Sequence, residues 1–329
     1  MYDIISIGEA LHDIFIQVPT SLLCPAGKPT CEEPFLCMRY GAKMDIEKIY
    51  FDIGGSACNG AVAFARLGLK SAYMGMIGKD NYGREIYERL VKERVGKDLL
   101  LQKKEFKTGF AFIINGPTGD RTIFIYRGKG DYKKLDFKKI IGKSKRIFIW
   151  PLPILGNFVL DKLADLAHKF DLEIFINLGS RQIGNKRITK KILAISKILF
   201  LNKEEAELFI GKTKDIFTLL RLLKKMGPQI VVLTAGSDGA FVFDGKIFYN
   251  IDNFPVRVID TTGAGDAFAA TFVASYLTSR GNIPEAMTHA AVNAASVVSV
   301  FGAQTGLLKK RELLGRLKKH PGFKAEIIK

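Results

Sequence analysis

The second half of the chain is organised by a regular alternation of short apolar runs and helix-length amphipathic patterns, beginning at about residue 140. The helical patterns cover residues 158–170, 203–209 and 216–226. The apolar runs have the length of strands, are rich in β-branched residues, and comprise Arg146–Ile149, Glu173–Ile176, Ile198–Leu201 and Ile230–Thr234. Because a helical crossover returns each strand parallel to the one before it, the sequence predicts a doubly wound α/β fold with a mostly parallel sheet flanked by helices.

The first half begins with the same rhythm and is interrupted twice. Ile4–Gly8 and Ser71–Ile77 have strand patterns, and Ser56–Leu67 between them has a helical pattern. One insertion runs from about residue 15 to residue 51, and the other, residues 109–126, alternates like a hairpin around Asn115–Gly119. Long insertions in a compact fold usually form a lid or a binding element, so we expect a small β lid over the carboxyl edge of the sheet. No linker divides residues 1–329, which are expected to form a single domain.

The last third of the chain no longer alternates short strands with helices. A strand candidate, Val256–Ile259, precedes two long helical patterns, Ala264–Thr278 and Pro284–Phe301, which are dense in alanine, serine and valine. Small residues of this kind allow two helices to approach each other closely. A final amphipathic pattern over Lys309–Lys319 predicts a surface helix near the C-terminus.

Composition limits the classes of partner. With 47% hydrophobic residues among 329, the chain can bury a large core, and its net charge of +17 suits an anionic substrate such as a nucleotide. The basic residues are spread over short runs without a nucleic-acid-binding motif, so no nucleic acid is expected as a partner. The N-terminus carries no secretory signal and the longest apolar stretch is too short for a membrane span, which predicts a cytoplasmic protein without a membrane partner. The four cysteines lack zinc spacing.

The segment from Asp260 to Phe268, with the sequence DTTGAGDAF, carries the strongest chemical signal. It stands between a strand candidate and a long apolar helix, where unpaired backbone N–H groups and the helix dipole favour an anion such as a phosphate. Small residues at Gly263, Ala264 and Gly265 let that anion approach the backbone. Asp266, just inside the helix, can accept the proton of an attacking hydroxyl. A simple helix cap would explain Asp260–Thr262 but not the glycines followed by a second aspartate.

A second glycine-rich segment, Gly54–Gly60, also precedes an apolar helix. Gly54 and Gly55 would let a polyhydroxylated ligand lie against the backbone, and Asn59 supplies both a donor and an acceptor. Taken alone this pattern is weak, because a Gly-Gly turn before a helix is common in α/β proteins.

These segments resemble the PfkB, or ribokinase-like, family of carbohydrate and nucleoside kinases over essentially the full length. The C-terminal signature of that family is met by residues 260–268 without a departure, and its N-terminal signature by residues 54–68. Its Asn-x-x-Glu element corresponds to Asn202–Glu205. The resemblance implies ATP and Mg²⁺ as cofactors, Asp266 as the base, and the backbone of residues 263–265 as the anion hole.

The resemblance extends to further ligand contacts. It implies that Asn202 and Glu205 act on Mg²⁺ and its waters, and that Thr234, Gly236 and Gly239 line the nucleotide, with Asn293 facing the adenine. The carbonyls of Asp260 and Thr262, with Gly302–Ala303, match positions that hold a monovalent cation such as K⁺ in some members. On the acceptor side, Asp13 matches the aspartate that ends the first strand of the family and binds substrate hydroxyls. As bare patterns, Asn202 is an ordinary helix cap and residues 234–240 a hairpin turn.

The acceptor itself stays open. Ribokinases usually have lysine where this chain has Ser56, and often asparagine where it has Leu11. A kinase for a sugar or a sugar derivative is the leading hypothesis, a nucleoside kinase is the alternative, and a non-catalytic protein that senses a nucleotide or a sugar represents a different class. The open edges of the lid strands further suggest a homodimer through the lid.

Overall fold

A computed structural model describes residues 1–18, 23–24, 35–37, 40–41, 43–46, 48–115, 121–152 and 156–328. The strands within these ranges, numbered along the chain, are β1 Ile4–Ile7, β2 Leu11–Gln17, β3 Leu23–Cys24, β4 Phe35–Leu36, β5 Lys48–Gly54, β6 Ser71–Met74, β7 Met76–Gly78, β8 Leu101–Lys103, β9 Gly109–Asn115, β10 Arg121–Tyr126, β11 Arg146–Ile149, β12 Glu173–Asn177, β13 Ser196–Asn202, β14 Ile230–Thr234, β15 Ala240–Phe243, β16 Phe248–Ile251 and β17 Glu326–Ile328. The helices are α1 Ser56–Arg66, α2 Asn81–Lys92, α3 Gly156–Phe170, α4 Ser180–Ile183, α5 Lys186–Leu193, α6 Lys203–Ile210, α7 Ile216–Lys224, α8 Ala264–Thr278, α9 Ile283–Val298 and α10 Lys310–Lys319.

The main sheet has nine strands in the order β17-β16-β15-β14-β13-β12-β11-β1-β6. The six strands from β6 to β14 run parallel to one another, and the last three join antiparallel at one edge. This arrangement confirms the predicted mostly parallel α/β sheet.

Strand side chains point alternately to the two faces of the main sheet and divide the core in two. Phe148 packs on the face covered by α1, α8 and α9, whereas Ile147 and Ile149 pack on the face covered by α3, α5 and α7. Because both faces are covered, the strands are buried on both sides and carry continuous apolar runs. These runs are the feature that made the strands recognisable in the sequence.

A separate four-stranded sheet, which we call the lid sheet, has the order β10-β9-β2-β5. β2 pairs antiparallel with β5 and parallel with β9, and β10 lies at one edge. Its strands come from the two predicted insertions, but β2 begins at Leu11 and β5 ends at Gly54, so the sheet extends beyond the predicted limits of residues 15 and 51. The predicted turn at residues 116–119 and most of residues 19–47 lie outside the described residues.

Two strand predictions were wrong. Residues 256–259 form no strand, because the N–H of Ile259 donates to the carbonyl of Val298 at the end of α9 instead of to a strand. The predicted strand Ser71–Ile77 is two strands in different sheets, β6 and β7, separated at Gly75. A Cβ at Gly75 would lie 2.1 Å from the Tyr73 hydroxyl and 2.5 Å from the Gly8 carbonyl oxygen, so the chain turns there past crowded neighbours.

The helix predictions differ from the structure mainly at their ends. α9 stops at Val298, three residues before the predicted end at Phe301, and the surface helix near the C-terminus is present as α10. The start of α9 is fixed by Asn282, whose side chain accepts a hydrogen bond from the N–H of Glu285. Among the described residues, we find no helix with the length and apolar character of a membrane span.

Candidate active site

The loop before α8 is built around Asp260, which is almost fully buried. One carboxylate oxygen of Asp260 accepts hydrogen bonds from the Thr262 N–H at 3.0 Å and the Thr262 hydroxyl at 2.7 Å, and the other accepts from the Gly302 N–H at 3.4 Å. Gly263 then caps the helix with φ at 80°, in the left-handed region. A Cβ at Gly263 would lie 2.7 Å from the Ala303 Cβ, so this position requires glycine.

This loop leaves backbone donors at the helix start. The Ala264 N–H donates to the Thr261 carbonyl at 3.3 Å, whereas the N–H groups of Gly263 and Gly265 have no acceptor among the described residues. Gly265 is exposed, and a Cβ placed on it would meet no atom within 4 Å. The space in front of this turn is therefore open to an anion, which the unpaired N–H groups and the helix dipole favour.

Asp266 is the third residue of α8 and faces residues that lie far from it in sequence. Its Oδ2 accepts a hydrogen bond of 2.8 Å from the side-chain amide of Asn59 in α1. Burial raises the pKa of Asp266 above the ordinary value of an aspartate, and hydrogen bonds from Asn59 and Ser56 act in the opposite direction. The structure thus joins the two glycine-rich segments of the sequence at one carboxylate.

The acceptor-side candidates lie in the lid sheet and its junction with α1. Asp13 stands within β2, not at the end of the first strand as the resemblance implied, and it is 4% exposed. A Cβ at Gly54 would lie 1.8 Å from the Asp13 Oδ2, so the absence of a side chain at Gly54 makes room for this carboxylate. Gly55 has φ at 86°, and a Cβ there would lie 2.6 Å from the Glu9 carbonyl oxygen. Both glycines are needed for close backbone approach.

Asp13 belongs to a concentration of negative charge around Asp266. Burial, followed by the charges of Asp52 and Asp266, raises the pKa of Asp13 well above the usual aspartate value. A buried carboxylate of this kind is costly to the fold unless a ligand uses it.

Asp266 also lines a cleft of about 180 Å³. It is lined by the ends of β13 and β14, by the start of α8 and by α6, and includes Ser56, Asn202, Glu205, Thr234, Gly265 and Asp266. The carboxyl ends of the parallel strands thus meet the glycine-rich helix start, which is the usual position of a ligand in an open α/β sheet.

Asn202 and Glu205 form a capping box at the start of α6. The Asn202 Oδ1 accepts from the Glu205 N–H at 2.7 Å, and the Glu205 Oε2 accepts from the Asn202 N–H at 3.1 Å. Burial, with smaller contributions from the charges of Glu204 and Asp266, raises the pKa of Glu205 to about 7. The helix-cap interpretation of Asn202 is therefore correct, and the box also holds the Glu205 carboxyl at the cleft.

Three predicted nucleotide contacts lie elsewhere. Gly236 and Gly239 belong to the turn between β14 and β15 and are not among the residues that line the cleft. Asn293 is fully buried, donates to the Thr271 hydroxyl at 2.7 Å and accepts from the Leu308 N–H at 2.9 Å. The Asn293 amide is used inside the protein to join α8, α9 and the segment before α10, and its contact with the adenine stays a prediction.

The sequence did not point to Arg121, the first residue of β10. Its guanidinium donates to the Thr261 hydroxyl, and its charge lowers the pKa of Asp266. The lid sheet therefore contacts the loop that carries the predicted anion hole. An arginine at the end of a lid hairpin was the available signal, but nothing in the pattern specified which loop it would reach.

The predicted cation positions lie close together, since the Asp260 carboxylate joins its own loop to Gly302. Within the described ranges, no group of three or more His, Cys, Asp or Glu side chains is arranged to hold a metal ion. Any ion at these positions would therefore depend on backbone carbonyls or on oxygens of a bound ligand.

Residues 30–311 match the family described as pfkB family carbohydrate kinase. The chain belongs to this family. That membership confirms the enzyme class predicted from the sequence, an ATP-dependent phosphotransferase with an alcohol group as acceptor. The ribokinase-like fold class is confirmed as well.

Relatives and solved structures agree with the family. A sugar kinase of Archaeoglobus fulgidus is 29% identical over 252 residues, covering 75% of this chain and 98% of the relative, and a nucleoside kinase of Methanothermobacter thermautotrophicus is 25% identical, covering 83% and 87%. The structure of Arabidopsis thaliana ribokinase with ribose and ATP has a TM-score of 0.79 at 22% identity, covering 96% and 99%. A ribokinase II candidate from E. coli, in complex with ATP and Mg²⁺, has a TM-score of 0.77 at 18% identity, covering 97% and 100%.

Proposed function

We propose that this carbohydrate kinase transfers the γ-phosphoryl group of Mg²⁺-bound ATP to a hydroxyl of a sugar or sugar derivative, with Asp266 as the general base. The observation that carries the proposal is the position of Asp266 between two different surroundings. The side chains of Asn59 and Asp13 surround it on one side, and the cleft with Glu205 and Gly265 opens on the other. A base at this junction can reach both an acceptor hydroxyl and the group it attacks.

The residues around the cleft fit a triphosphate and its magnesium ion. The N–H groups of Gly263 and Gly265 have no acceptor among the described residues, and a Cβ on Gly265 would meet no atom within 4 Å. Asn202 and Glu205 offer oxygen and nitrogen groups in the lining of the cleft. Thr234 lies at the end of β14 on the same cleft. Bound ATP would supply the phosphoryl group, and Mg²⁺ would neutralise the charge of its oxygens.

The chain's own residues then act on the acceptor. The Asp13 carboxylate accepts hydrogen bonds from substrate hydroxyls, while the backbone of Gly54 and Gly55 lets the acceptor lie close to the start of α1. Asn59 occupies the Asp266 Oδ2, which leaves Oδ1 to take the proton of the attacking hydroxyl. The N–H groups of residues 263–265 stabilise the negative charge that develops in front of α8. Arg121, reaching from the lid sheet to Thr261, helps to exclude water from this space.

Two further elements of the proposal concern a cation and a dimer. The carbonyls of Asp260 and Thr262, with Gly302–Ala303, form a site for a monovalent cation that supports the anion hole; replacing K⁺ by choline in the assay should lower activity. The lid sheet pairs with a second copy, because every residue of its edge strand β10 is exposed and the strand contains Ile123, Phe124 and Ile125. Sedimentation equilibrium should give a dimer, and a monomer would contradict this element.

The test is ADP release from Mg-ATP against a panel of pentoses, hexoses, sugar phosphates, sugar acids and nucleosides, with Asp266→Asn in parallel. We expect one acceptor to stimulate release and the variant to lower kcat by about 10²- to 10⁴-fold, since general base catalysis contributes on this scale. Asparagine keeps the shape of the side chain, so the melting temperature serves as the control for folding. A variant that retains activity would exclude Asp266 as the base.

A nucleoside is the second candidate for the acceptor, favoured by the relative in Methanothermobacter thermautotrophicus. Stimulation by adenosine or another nucleoside and by no sugar in the panel would decide for it. If ATP binds and no acceptor stimulates release, a non-catalytic sensing role becomes the better explanation.

A further inference from the structure

Gln304 lies in the loop after α9 and is completely buried. Its side chain connects two elements that are remote in sequence: its Oε1 accepts a hydrogen bond of 3.0 Å from Arg89 in α2, and its Nε2 donates one of 3.0 Å to the Oδ1 of Asn59 in α1. Asn59 donates in turn to the Asp266 Oδ2 at 2.8 Å. A continuous chain of hydrogen bonds therefore runs from Arg89 through two amides to Asp266.

The direction of this chain is fixed at both ends. The Arg89 guanidinium can only donate, so the oxygen of the Gln304 amide must face it and the NH₂ group must face Asn59. The ionised Asp266 carboxylate can only accept, so the NH₂ group of Asn59 must face it. No other orientation of the two amides satisfies all three hydrogen bonds at once.

The surroundings of Gln304 hold it in place. Its backbone N–H donates to the Asp52 carboxylate at 3.4 Å, and its carbonyl accepts from the Arg66 guanidinium at 2.7 Å. Asp52 also forms an ion pair of 3.2 Å with Arg89. The second polar contact of the Gln304 Nε2 is the Cys58 sulfur, at 3.5 Å. The glutamine is thus fixed by three charged groups, of which Arg66 lies in the N-terminal signature and Asp52 and Arg89 stand outside the predicted motifs.

We propose that Gln304 is a positioning residue: it orients the Asn59 amide so that its NH₂ group, and not its oxygen, faces Asp266. This inference rests on the proposed role of Asp266 as the base. The consequence is that Asp266 is kept ionised, and thus able to accept a proton, against the effect of its burial. Without Gln304, Asn59 could present its oxygen to the carboxylate and favour the protonated acid.

The variant Gln304→Glu tests the direction of this series of hydrogen bonds, because the glutamate side chain has nearly the same shape as glutamine. A glutamate oxygen would face Asn59, so the Asn59 amide would turn to donate to it and would present its oxygen to Asp266. Gln182→Glu is the matched control, because Gln182 is also buried and, within the described part of the chain, its Nε2 donates only to the Leu152 carbonyl, at 2.6 Å. Gln182 takes no part in the hydrogen bonds that lead from Arg89 to Asp266.

The direct readout is the titration of Asp266, followed by ¹³C NMR of protein labelled at the aspartate carboxyl carbons and assigned with Asp266→Asn. We expect Gln304→Glu to move the midpoint to higher pH by about one unit and Gln182→Glu to leave it in place. Asn59→Ala separates orientation from added charge: in this background Gln304→Glu should cause only the smaller shift that the added charge produces. An unchanged midpoint in Gln304→Glu, or an equal shift with and without Asn59, would overturn the proposal.

The kinetic readout follows from the same change. The acidic limb of the kcat–pH profile for D-ribose, or for the panel sugar that replaces it, should move to higher pH by the same amount, and kcat at the acidic end should fall by about tenfold. The NMR titration needs no acceptor and no turnover, so a failed assay of the proposed function would leave this test intact. If Gln304 had only a structural role, Gln304→Glu would lower the melting temperature and leave the NMR titration of Asp266 and the kcat–pH profile unchanged.

Discussion

The two sides of Asp266 are built in different ways. On the proposed acceptor side, the contacts come from β2, β5, α1 and the loop after α9, and the polar side chains of Asp13, Asn59 and Gln304 are almost fully buried. On the proposed nucleotide side, the contacts come mainly from short continuous segments, residues 202–205 and 263–265, with exposed backbone at Gly265. One side is a set of buried side chains brought together by the fold, and the other is an open backbone turn.

This difference has a physical basis. A phosphate is recognised by backbone N–H groups at a helix start, and a few residues of local sequence suffice to produce them. A hydroxyl compound is distinguished from its relatives by side chains placed around it, and the low exposure of these side chains makes each misplacement costly. Substitutions on the nucleotide side should therefore change catalysis and leave folding intact, whereas substitutions on the acceptor side should change stability as well.

The sharpest test of the comparison is Gly265→Ala. The added methyl group meets no protein atom within 4 Å, and alanine favours a helix, so the melting temperature should stay the same or rise. The methyl group would occupy the space in front of the anion hole, and kcat/KM for ATP should fall by about 100-fold. Gly315→Ala is the matched control, since Gly315 is also exposed in a helix with no atom near its Cβ position. Equal kinetics for both variants would contradict an anion site at Gly265.

Asp13→Asn tests the acceptor side. Loss of a charged acceptor should raise the KM for the sugar by about tenfold and leave the KM for ATP unchanged. In the folded protein burial raises the pKa of Asp13, so above the usual aspartate pKa the unfolded chain ionises more readily and the wild type loses stability as pH rises. The variant should therefore melt higher than the wild type at pH 7, and the difference should vanish in strong acid. A lower melting temperature at pH 7 would contradict the costly burial of this carboxylate.

Glu205 gives a test with a smaller expected effect, on the proposed nucleotide side. Its pKa of about 7, raised by burial, means that the carboxyl is mostly neutral at pH 6 and mostly ionised at pH 8. The magnesium concentration for half-maximal activity should therefore fall as pH rises over this range. Glu205→Gln can keep the capping box, because glutamine also accepts from the Asn202 N–H. It should raise the magnesium concentration for half-maximal activity by about tenfold at pH 8. The pH dependence of the magnesium requirement should disappear in the variant; if it persists, another group is responsible.

Asn293→Ala should have the smallest kinetic effect. Its two buried hydrogen bonds, to Thr271 and Leu308, predict a loss of about 1–3 kcal/mol in the free energy of unfolding. The KM for ATP should remain that of the wild type, measured on protein held well below its melting temperature. A specific rise in this KM would instead support the predicted contact of Asn293 with the adenine.

Much of the fold could be predicted because the main sheet is covered on both faces. Its strands β11 to β14 are continuous apolar runs, and periodicity located them together with α3, α6 and α7. The two helices between β12 and β13, α4 and α5, were not predicted. Residues 256–259 have the same apolar composition, but three of the four are exposed and no strand forms. An apolar composition makes a strand possible, but a strand forms only where a neighbouring strand is available to pair with it. Gly75 shows the same limit, since its crowded neighbours are remote in sequence.

By itself the sequence determined the α/β architecture, the position of the glycine-rich turn before α8, the helix cap at Asn202, and the family to which the chain belongs. These features depend on residues a few positions apart, which a pattern can record. The tertiary structure alone decided that Asp13 stands in a lid strand, that Asn293 is used inside the core, and that Arg121 and Gln304 reach the loops around Asp266. Contacts between residues 140 to 245 positions apart depend on how packed elements meet, and no local pattern encodes that geometry.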